Sequence, residues 1–263
     1  MTSMGRIVND TCIVPSIAGR LGNNMFMIAN AYARALEQNR QLVVPRYQVG
    51  HMGDFLDNIF RKLDVYIDMP DDVLNTGVAT VYTGYFQSEK YFEKYSEAVK
   101  QLFSPTREFV ENAYEKYAFL HHCRVTSISV RRGDYLIYKD YHPVVSKEYI
   151  EKALEFVGDE CHMVFSDDLL WSRENLSHLK NVHFIEAPIH EQMWLMSMCN
   201  DFVISNSSFS WWGAYLSRDR RKKVVAPQTW FGPNGPSEWN DMYCDGWMVL
   251  PTTYVNGYIH PTH

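Results

Sequence analysis

In the second half of the chain, short apolar blocks alternate with stretches where apolar residues recur every three or four positions. Arg124 to Val130, His162 to Phe165, Val182 to Ile185, Phe202 to Ser205 and Val224 to Ala226 read as strands. Ser146 to Val157, Leu169 to Leu176, His190 to Cys199 and Phe209 to Leu216 read as helices between them. That alternation predicts a parallel sheet covered on both faces. The first half opens in the same way. Cys12 to Ile17 predicts a strand, Gly19 to Asn24 a glycine-punctuated turn, Met25 to Gln38 a helix, and Gln41 to Pro45 a second strand. Phe26, Ala29, Ala33 and Leu36 share one face of that helix. Ala79 to Thr83 predicts another strand. Ser88 to Phe103 predicts a helix capped by Ser88, and Pro105 begins one that reaches about Phe119. Arg46 to Leu74 gives no clear pattern. The spacing therefore predicts an α/β chain with domains at 1–120 and 121–263. The tail after Pro227, rich in Trp, Pro and Gly, is expected to pack back across the surface.

In open parallel sheets, ligands bind beyond the carboxyl ends of the strands. The unusual polar clusters fall there: Arg131-Arg132, Asp167-Asp168 and Asn206-Ser207-Ser208. Three such clusters on strands of one half predict a single site. Paired arginines offer fixed charge and a planar donor fork suited to phosphate oxygens. They are equally read as a structural ion pair with Asp134. Ser207 and Ser208 stand where a helix begins, so they either hold an anion at its positive end or simply cap it. The arginine pair together with the serine pair favours a diphosphate. Asp167 and Asp168 either accept hydrogen bonds from a base or ribose, or favour their own helix N-terminus.

Composition narrows the classes. The chain has 263 residues, 46% hydrophobic and 21% charged, which is an ordinary globular balance. A net charge of −6 does not suit a nucleic-acid partner. The densest basic run, Arg218 to Lys223, is short and is expected to cap a helix end. The five Cys are widely spaced with no C-x-x-C, which predicts neither a disulfide framework nor a zinc site. A reducing, cytoplasmic setting is the expectation. No signal peptide or transmembrane segment is expected from the pattern. Three N-x-S/T sequons, at Asn9, Asn175 and Asn206, carry little weight without one. With 14% aromatic residues, sugar-facing rings and an aromatic core both fit. Trp211-Trp212, with Tyr215 and Leu216, reads as helix core.

Absent motifs narrow them further. Gly19 and Gly22 do not form a G-x-G-x-x-G fingerprint, and no phosphate-binding G-x-x-x-x-G-K-[ST] loop occurs. A Rossmann dehydrogenase and a P-loop kinase are disfavoured. No D-x-D triplet is present, so arginine rather than a metal is expected to neutralise a leaving phosphate. The ten histidines show no H-x-x-x-H spacing.

Five segments stand in order: "GRLGNNMFMIANAYARAL" at 19–36, "GYFQSEKYF" at 84–92, "SISVRRGDYL" at 127–136, "VFSDD" at 164–168 and "ISNSSFSWWGAYL" at 204–216. "KVVAPQTWF" comes after them at 223–231. Together these resemble the α1,2-fucosyltransferase family in its compact bacterial or viral form, over about residues 17 to 231. The resemblance implies a GT-B architecture, two Rossmann-like domains with parallel sheets facing a cleft. It implies GDP-L-fucose as donor, bound mainly by the second half. It also implies inversion at the anomeric carbon, a galactose-terminated glycan as acceptor, and no cofactor or metal. Arg131 would hold the β-phosphate with support from Arg132. Asp168 or Asp167 would contact guanosine, and Ser207 and Ser208 the diphosphate. Residues 1–120 would be the acceptor side, and 121–263 the GDP-fucose side; Gly22, Asn23 and Asn24 would line the cleft from the first domain, near the fucose or acceptor. Two positions depart from the family. Ser129 stands where it usually has a His that helps read guanine, and Asn24 where it usually has Gln.

The reaction implied is a single displacement, with negative charge growing on the β-phosphate. Asp140 is the candidate general base, with His142 beside it in the loop after the arginine motif. Three alternatives stay open. One is a fucosyltransferase of another linkage such as α1,6. Another is an enzyme using a different GDP-sugar. The third is a non-catalytic glycan- or nucleotide-binding protein on a transferase fold. Peripheral membrane contact is compatible with the pattern, and the oligomeric state is not given by it.

Overall fold

A computed structural model of the chain describes residues 11–45, 55–63, 65–66, 79–158 and 160–251. Asn9 and much of the patternless stretch lie outside the described residues. The chain divides into two compact units, Met1–Pro105 and Thr106–His263.

In the first unit, β1 (Cys12–Pro15) lies between β2 (Gln41–Leu42) and β5 (Ala79–Tyr82), all parallel. A separate parallel pair joins β3 (Val44–Pro45) to β4 (Val65–Tyr66). The predicted 41–45 strand is thus two short strands in two sheets. Helix α1 (Leu21–Gln38) starts four residues before the expected Met25. Gly22, Asn23 and Asn24 form its first turn instead of a loop. It stops at Asn39, whose left-handed backbone (φ 50°) turns its N–H onto the Ala35 and Leu36 carbonyls. The predicted 88–103 helix is broken. Ser88 caps a 3₁₀ turn at Glu89–Tyr91, a second spans Glu93–Tyr95, and only α2 (Ser96–Phe103) is α-helical. Phe92, between the turns, is buried with its ring 6.3 Å from Phe26, and its backbone leaves the helical region to get there.

In the second unit, helix α3 (Arg107–Lys116) is capped by Thr106 and packs Phe109 on Trp194, ring centroids 5.0 Å apart. That contact explains why α3 belongs to the second unit. Six strands then form one parallel sheet: β6 (Val125–Val130), β7 (Cys161–Ser166), β8 (Val182–Phe184), β9 (Asp201–Val203), β10 (Val224–Pro227) and β11 (Met248–Leu250). Their order is β8-β7-β6-β9-β10-β11. Helices α4 (Lys147–Leu154), α5 (Leu169–Leu176), α6 (Ile189–Ser197) and α7 (Ser208–Leu216) connect them. The strand order reverses between β6 and β9. Doubly wound sheets take their ligands at the carboxyl ends of the strands that flank such a reversal. The tail does more than cover the surface, because β11 adds an edge strand to β10.

Trp211 and Trp212 are fully buried, and Trp211 stacks on Tyr215 at 4.7 Å, so the core reading of this helix holds. The basic run caps α7 as expected. Lys222 Nζ donates to the Ala214, Tyr215 and Ser217 carbonyls at 2.7, 3.3 and 2.9 Å. All five cysteines are free thiols. No helix of the described residues is long and apolar enough to cross a membrane.

Candidate active site at the sheet's switch point

Strand β6 hands the chain to Arg131 and Arg132 at the carboxyl edge of the sheet. Its neighbour β7 pairs Val130 with Ser166, so Asp167 comes level with Arg131. The carboxylate of Asp167 therefore spans both arginines. Its Oδ1 accepts the Arg132 backbone N–H at 2.8 Å, and its Oδ2 meets Arg131 Nη1 at 2.7 Å. Gly133 makes room for this. A Cβ there would stand 2.5 Å from Asp167 Oδ2.

Arg131 also pairs through Nη2 with Asp134, and its guanidinium lies 5.0 Å over the Tyr135 ring. Arg132 donates from Nε to Asp168 at 3.1 Å and lies 4.2 Å over Trp171. Asp168 is occupied twice. It caps α5 through the Trp171 N–H at 3.1 Å and orients Arg132. The ion-pair reading of the arginine motif is realised, with Asp167 and Asp168 joining Asp134 as partners. The arginines carry structural ion pairs, and those pairs fix them rigidly at a strand end. Arg132 is only 8% exposed, yet its Nη1 has no hydrogen-bond partner among the described residues.

Across the reversal, β9 leads into Ser205, Asn206 and Ser207. Ser207 caps α7 through the Phe209 N–H at 3.3 Å. Ser208 opens the helix, and the first N–H groups of a helix find no carbonyl within it. Asn206 is buried. Its Nδ2 donates to the Trp230 carbonyl at 2.9 Å, while its Oδ1 has no partner among the described residues. Ser129 on β6 meets Ser205 Oγ to Oγ at 3.1 Å, joining the ends of β6 and β9.

Tyr135 ties the two sides together. Its O–H donates to the Asn206 carbonyl at 3.1 Å, and its buried phenol is pushed up to about 12, chiefly by burial. His142 stacks on it at 4.4 Å with rings 8° apart. Burial holds the His142 imidazole below its ordinary range, assisted by Arg131 and opposed by Asp134. The sequence named neither Tyr135, Trp171 nor Asn206 as contacting the arginines or joining the strand ends. Tyr135 and Asn206 lie inside the quoted motifs, and Trp171 lies one helical turn after Asp167.

Asp140 lies on an exposed loop. Among the described residues its carboxylate has no ion-pair partner, and its backbone carbonyl accepts the Asn234 N–H at 2.9 Å. Gly22, Asn23 and Asn24 belong to the first unit. Asn23 Oδ1 accepts Gln87 Nε2 at 2.7 Å. Asn24 is fully buried, and its Nδ2 holds the Ala18 carbonyl at 2.9 Å, which pins the Gly19 turn. Gly19 sits at φ +75° with Asn23 Nδ2 2.5 Å from where a Cβ would be.

Arg131, Arg132, Asp167, Asp168 and Tyr135, with the Ser207 cap joined through the Asn206 carbonyl, thus form one preorganised cluster around the β6–β9 reversal. It presents guanidinium donors and a helix N-terminus, which suits a phosphorylated ligand.

The profile of glycosyl transferase family 11 matches residues 48–251. The O-antigen biosynthesis glycosyltransferase WbnK of Escherichia coli is 30% identical, over 63% of this chain and 59% of its own length. An α-1,2-colitosyltransferase of Escherichia coli is 28% identical, over 83% and 92%. The galactoside α-(1,2)-fucosyltransferase 2 of Oryctolagus cuniculus is 27% identical, over 76% and 65%. The chain thus spans less than two thirds of the first and third of these relatives. Among solved structures, the NodZ α-1,6-fucosyltransferase co-crystallised with GDP aligns with TM-score 0.53 and 11% identity, over 78% of this chain and 92% of its own. A glycosyl transferase family 9 protein of Veillonella parvula aligns with TM-score 0.52 and 12% identity, over 94% and 88%. Both likenesses show the fold, an α/β chain of GT-B type.

Proposed function

The chain belongs to glycosyl transferase family 11, and from that premise we propose that it transfers L-fucose from GDP-fucose to the 2-hydroxyl of a galactoside. One observation carries the donor assignment. Among the described residues, Nη1 of Arg132 and Oδ1 of Asn206, at the ends of β6 and β9, are buried without a hydrogen-bond partner. The first calls for an acceptor and the second for a donor. A nucleotide diphosphate sugar offers both, in its phosphate oxygens and its hydroxyls.

In the proposed reaction the acceptor oxygen bonds to the anomeric carbon as the bond to the β-phosphate oxygen breaks. The electron pair leaves with GDP. Arg131, Arg132 and the positive end of α7, which Ser207 and Ser208 begin, meet the charge that grows on the β-phosphate. Metal independence is part of the proposal, because the carboxylates beside the arginines, Asp134, Asp167 and Asp168, are engaged in holding them. Asp140 is proposed to take the hydroxyl proton. The region of Gly22, Asn23 and Asn24 is proposed to serve the fucose or acceptor end. There Asn24 acts by fixing the turn. A cytoplasmic setting fits the five free thiols. The relative named as a colitosyltransferase supports a second reading, in which the same site takes another GDP-sugar.

Calorimetric titration of GDP in EDTA tests the donor site. Binding that weakens at least about tenfold in Arg131→Ala is expected, as for loss of one charge-assisted contact. No binding by the wild type, or equal affinity in the variant, removes the assignment.

A further inference from the structure

The loop after the arginine motif is an unusual piece of surface. Leu136, Ile137, Tyr138 and Tyr141 are all exposed, with Ile137 at 75% and Tyr138 at 60%. Exposed apolar clusters of this kind mark binding sites more often than they mark slack. This one is held firmly. The Ile137 and Tyr138 N–H groups donate to the Asp134 carbonyl, and the Tyr141 and His142 N–H groups to that of Tyr138. A second turn clamps it from outside, with Gly232 N–H on the Tyr141 carbonyl at 3.0 Å and Asn234 N–H on that of Asp140 at 2.9 Å. Position 232 must be glycine for this, because a Cβ there would stand 2.4 Å from the Asp140 carbonyl oxygen. Tyr141 meets Phe231 edge-on at 5.8 Å, and Phe231 meets Trp239 at 6.4 Å.

We propose that this ledge, Leu136 to Tyr141 backed by Phe231, is the subsite that recognises the acceptor sugar. It rests on the donor reading given above. Three features choose a saccharide as occupant. The ledge is continuous with the donor site, since Asp134 pairs with Arg131 two residues before the ledge begins. Its exposed tyrosine rings suit the C–H faces of a pyranose. The carboxylate of Asp140 is exposed between Tyr138 and Tyr141, able to accept from sugar hydroxyls. The acceptor is then selected by the same unit that holds the donor.

The test measures GDP affinity and saccharide binding together, using a panel of β-galactosides including lactose, with GDP present. Tyr138 is the residue to change because its exposed side chain contributes little to the core, and Leu170→Ala on α5 is a matched exposed control at 78%. Tyr138→Ala is expected to weaken saccharide binding about tenfold, the loss of one aromatic contact. Tyr138→Phe and Leu170→Ala should stay within about twofold of wild type. GDP affinity should be unchanged in all three. Undiminished saccharide binding by Tyr138→Ala overturns the ledge, as does a wild type that binds GDP but no member of the panel. A change of oligomeric state in Tyr138→Ala, read by sedimentation, also overturns it and makes the ledge a contact between copies. Failure of GDP binding in the wild type is a different result and overturns the donor reading beneath it.

Discussion

Gly133→Ala should lower transfer by about two orders of magnitude while leaving the fold intact. The added Cβ would stand 2.5 Å from Asp167 Oδ2 and 3.1 Å from its Cγ. To reach the ordinary separation of 3.4 Å, the carboxylate must retreat by about 0.9 Å. Asp167 cannot move that far and keep both its 2.8 Å bond to the Arg132 N–H and its 2.7 Å contact with Arg131. The arginines then lose the clamp that aims them. A misplacement of about 1 Å costs on the order of 10²-fold in rate. The stability loss is smaller. One charge-assisted bond is worth about 1.5–3 kcal/mol, reduced to about 1–2 here because both partners are about one quarter solvent-accessible. That corresponds to a melting shift of about 2–8 °C. The assay is kcat/KM for GDP-fucose by GDP release, run beside a thermal melt. A variant that melts as expected yet turns over within about threefold of wild type would refute the idea that Asp167 aims the arginines.

Arg131→Lys should lose more than about tenfold in kcat/KM, because one ammonium cannot replace a fork that meets Asp134, Asp167 and the Tyr135 face together; steady-state kinetics checks this. Asp140→Asn should lower kcat by about 10²-fold or more with GDP affinity unchanged, and normal kcat would remove Asp140 as base. Lys222→Met should lower stability by about 1–2 kcal/mol in denaturant melts, since three carbonyls at the end of α7 lose their donor. Stability should also fall as pH drops. Burial holds the folded His142 and His183 below their usual 6.5, so the unfolded chain binds protons first. Their contribution is therefore present above pH 6.5 and is lost as pH falls toward the folded values. His142→Phe keeps the stack on Tyr135 and should flatten that slope in melts run across the range.

Regular elements with local signals were legible in the chain itself. Helix α5 runs Leu169–Leu176 as read, because Asp168 caps it and an apolar run comes next. The arginine, aspartate and serine clusters could be placed at strand ends by alternation alone, and the structure brings Arg131, Arg132, Asp167 and Asp168 into contact. What failed did so where tertiary burial overrode local pattern. Phe92 broke the 88–103 helix by turning inward toward Phe26. Asn24 looked like a turn residue but is buried in a helix, because its amide finds the Ala18 carbonyl. Strand β11 is short and partly exposed, so no apolar alternation announced it. The Tyr135–Asn206 and Arg132–Trp171 contacts were hidden for another reason. They join segments far apart in sequence, and only the register of β6 with β7 and β9 makes them neighbours.

The most direct measurement is GDP release from GDP-fucose by the purified chain in EDTA, with and without lactose, and then linkage analysis of the product. Lactose-stimulated release with fucose α1,2-linked to galactose is the expected result. Absence of release with every β-galactoside offered, from a chain that also fails to bind GDP, would contradict the proposed transfer.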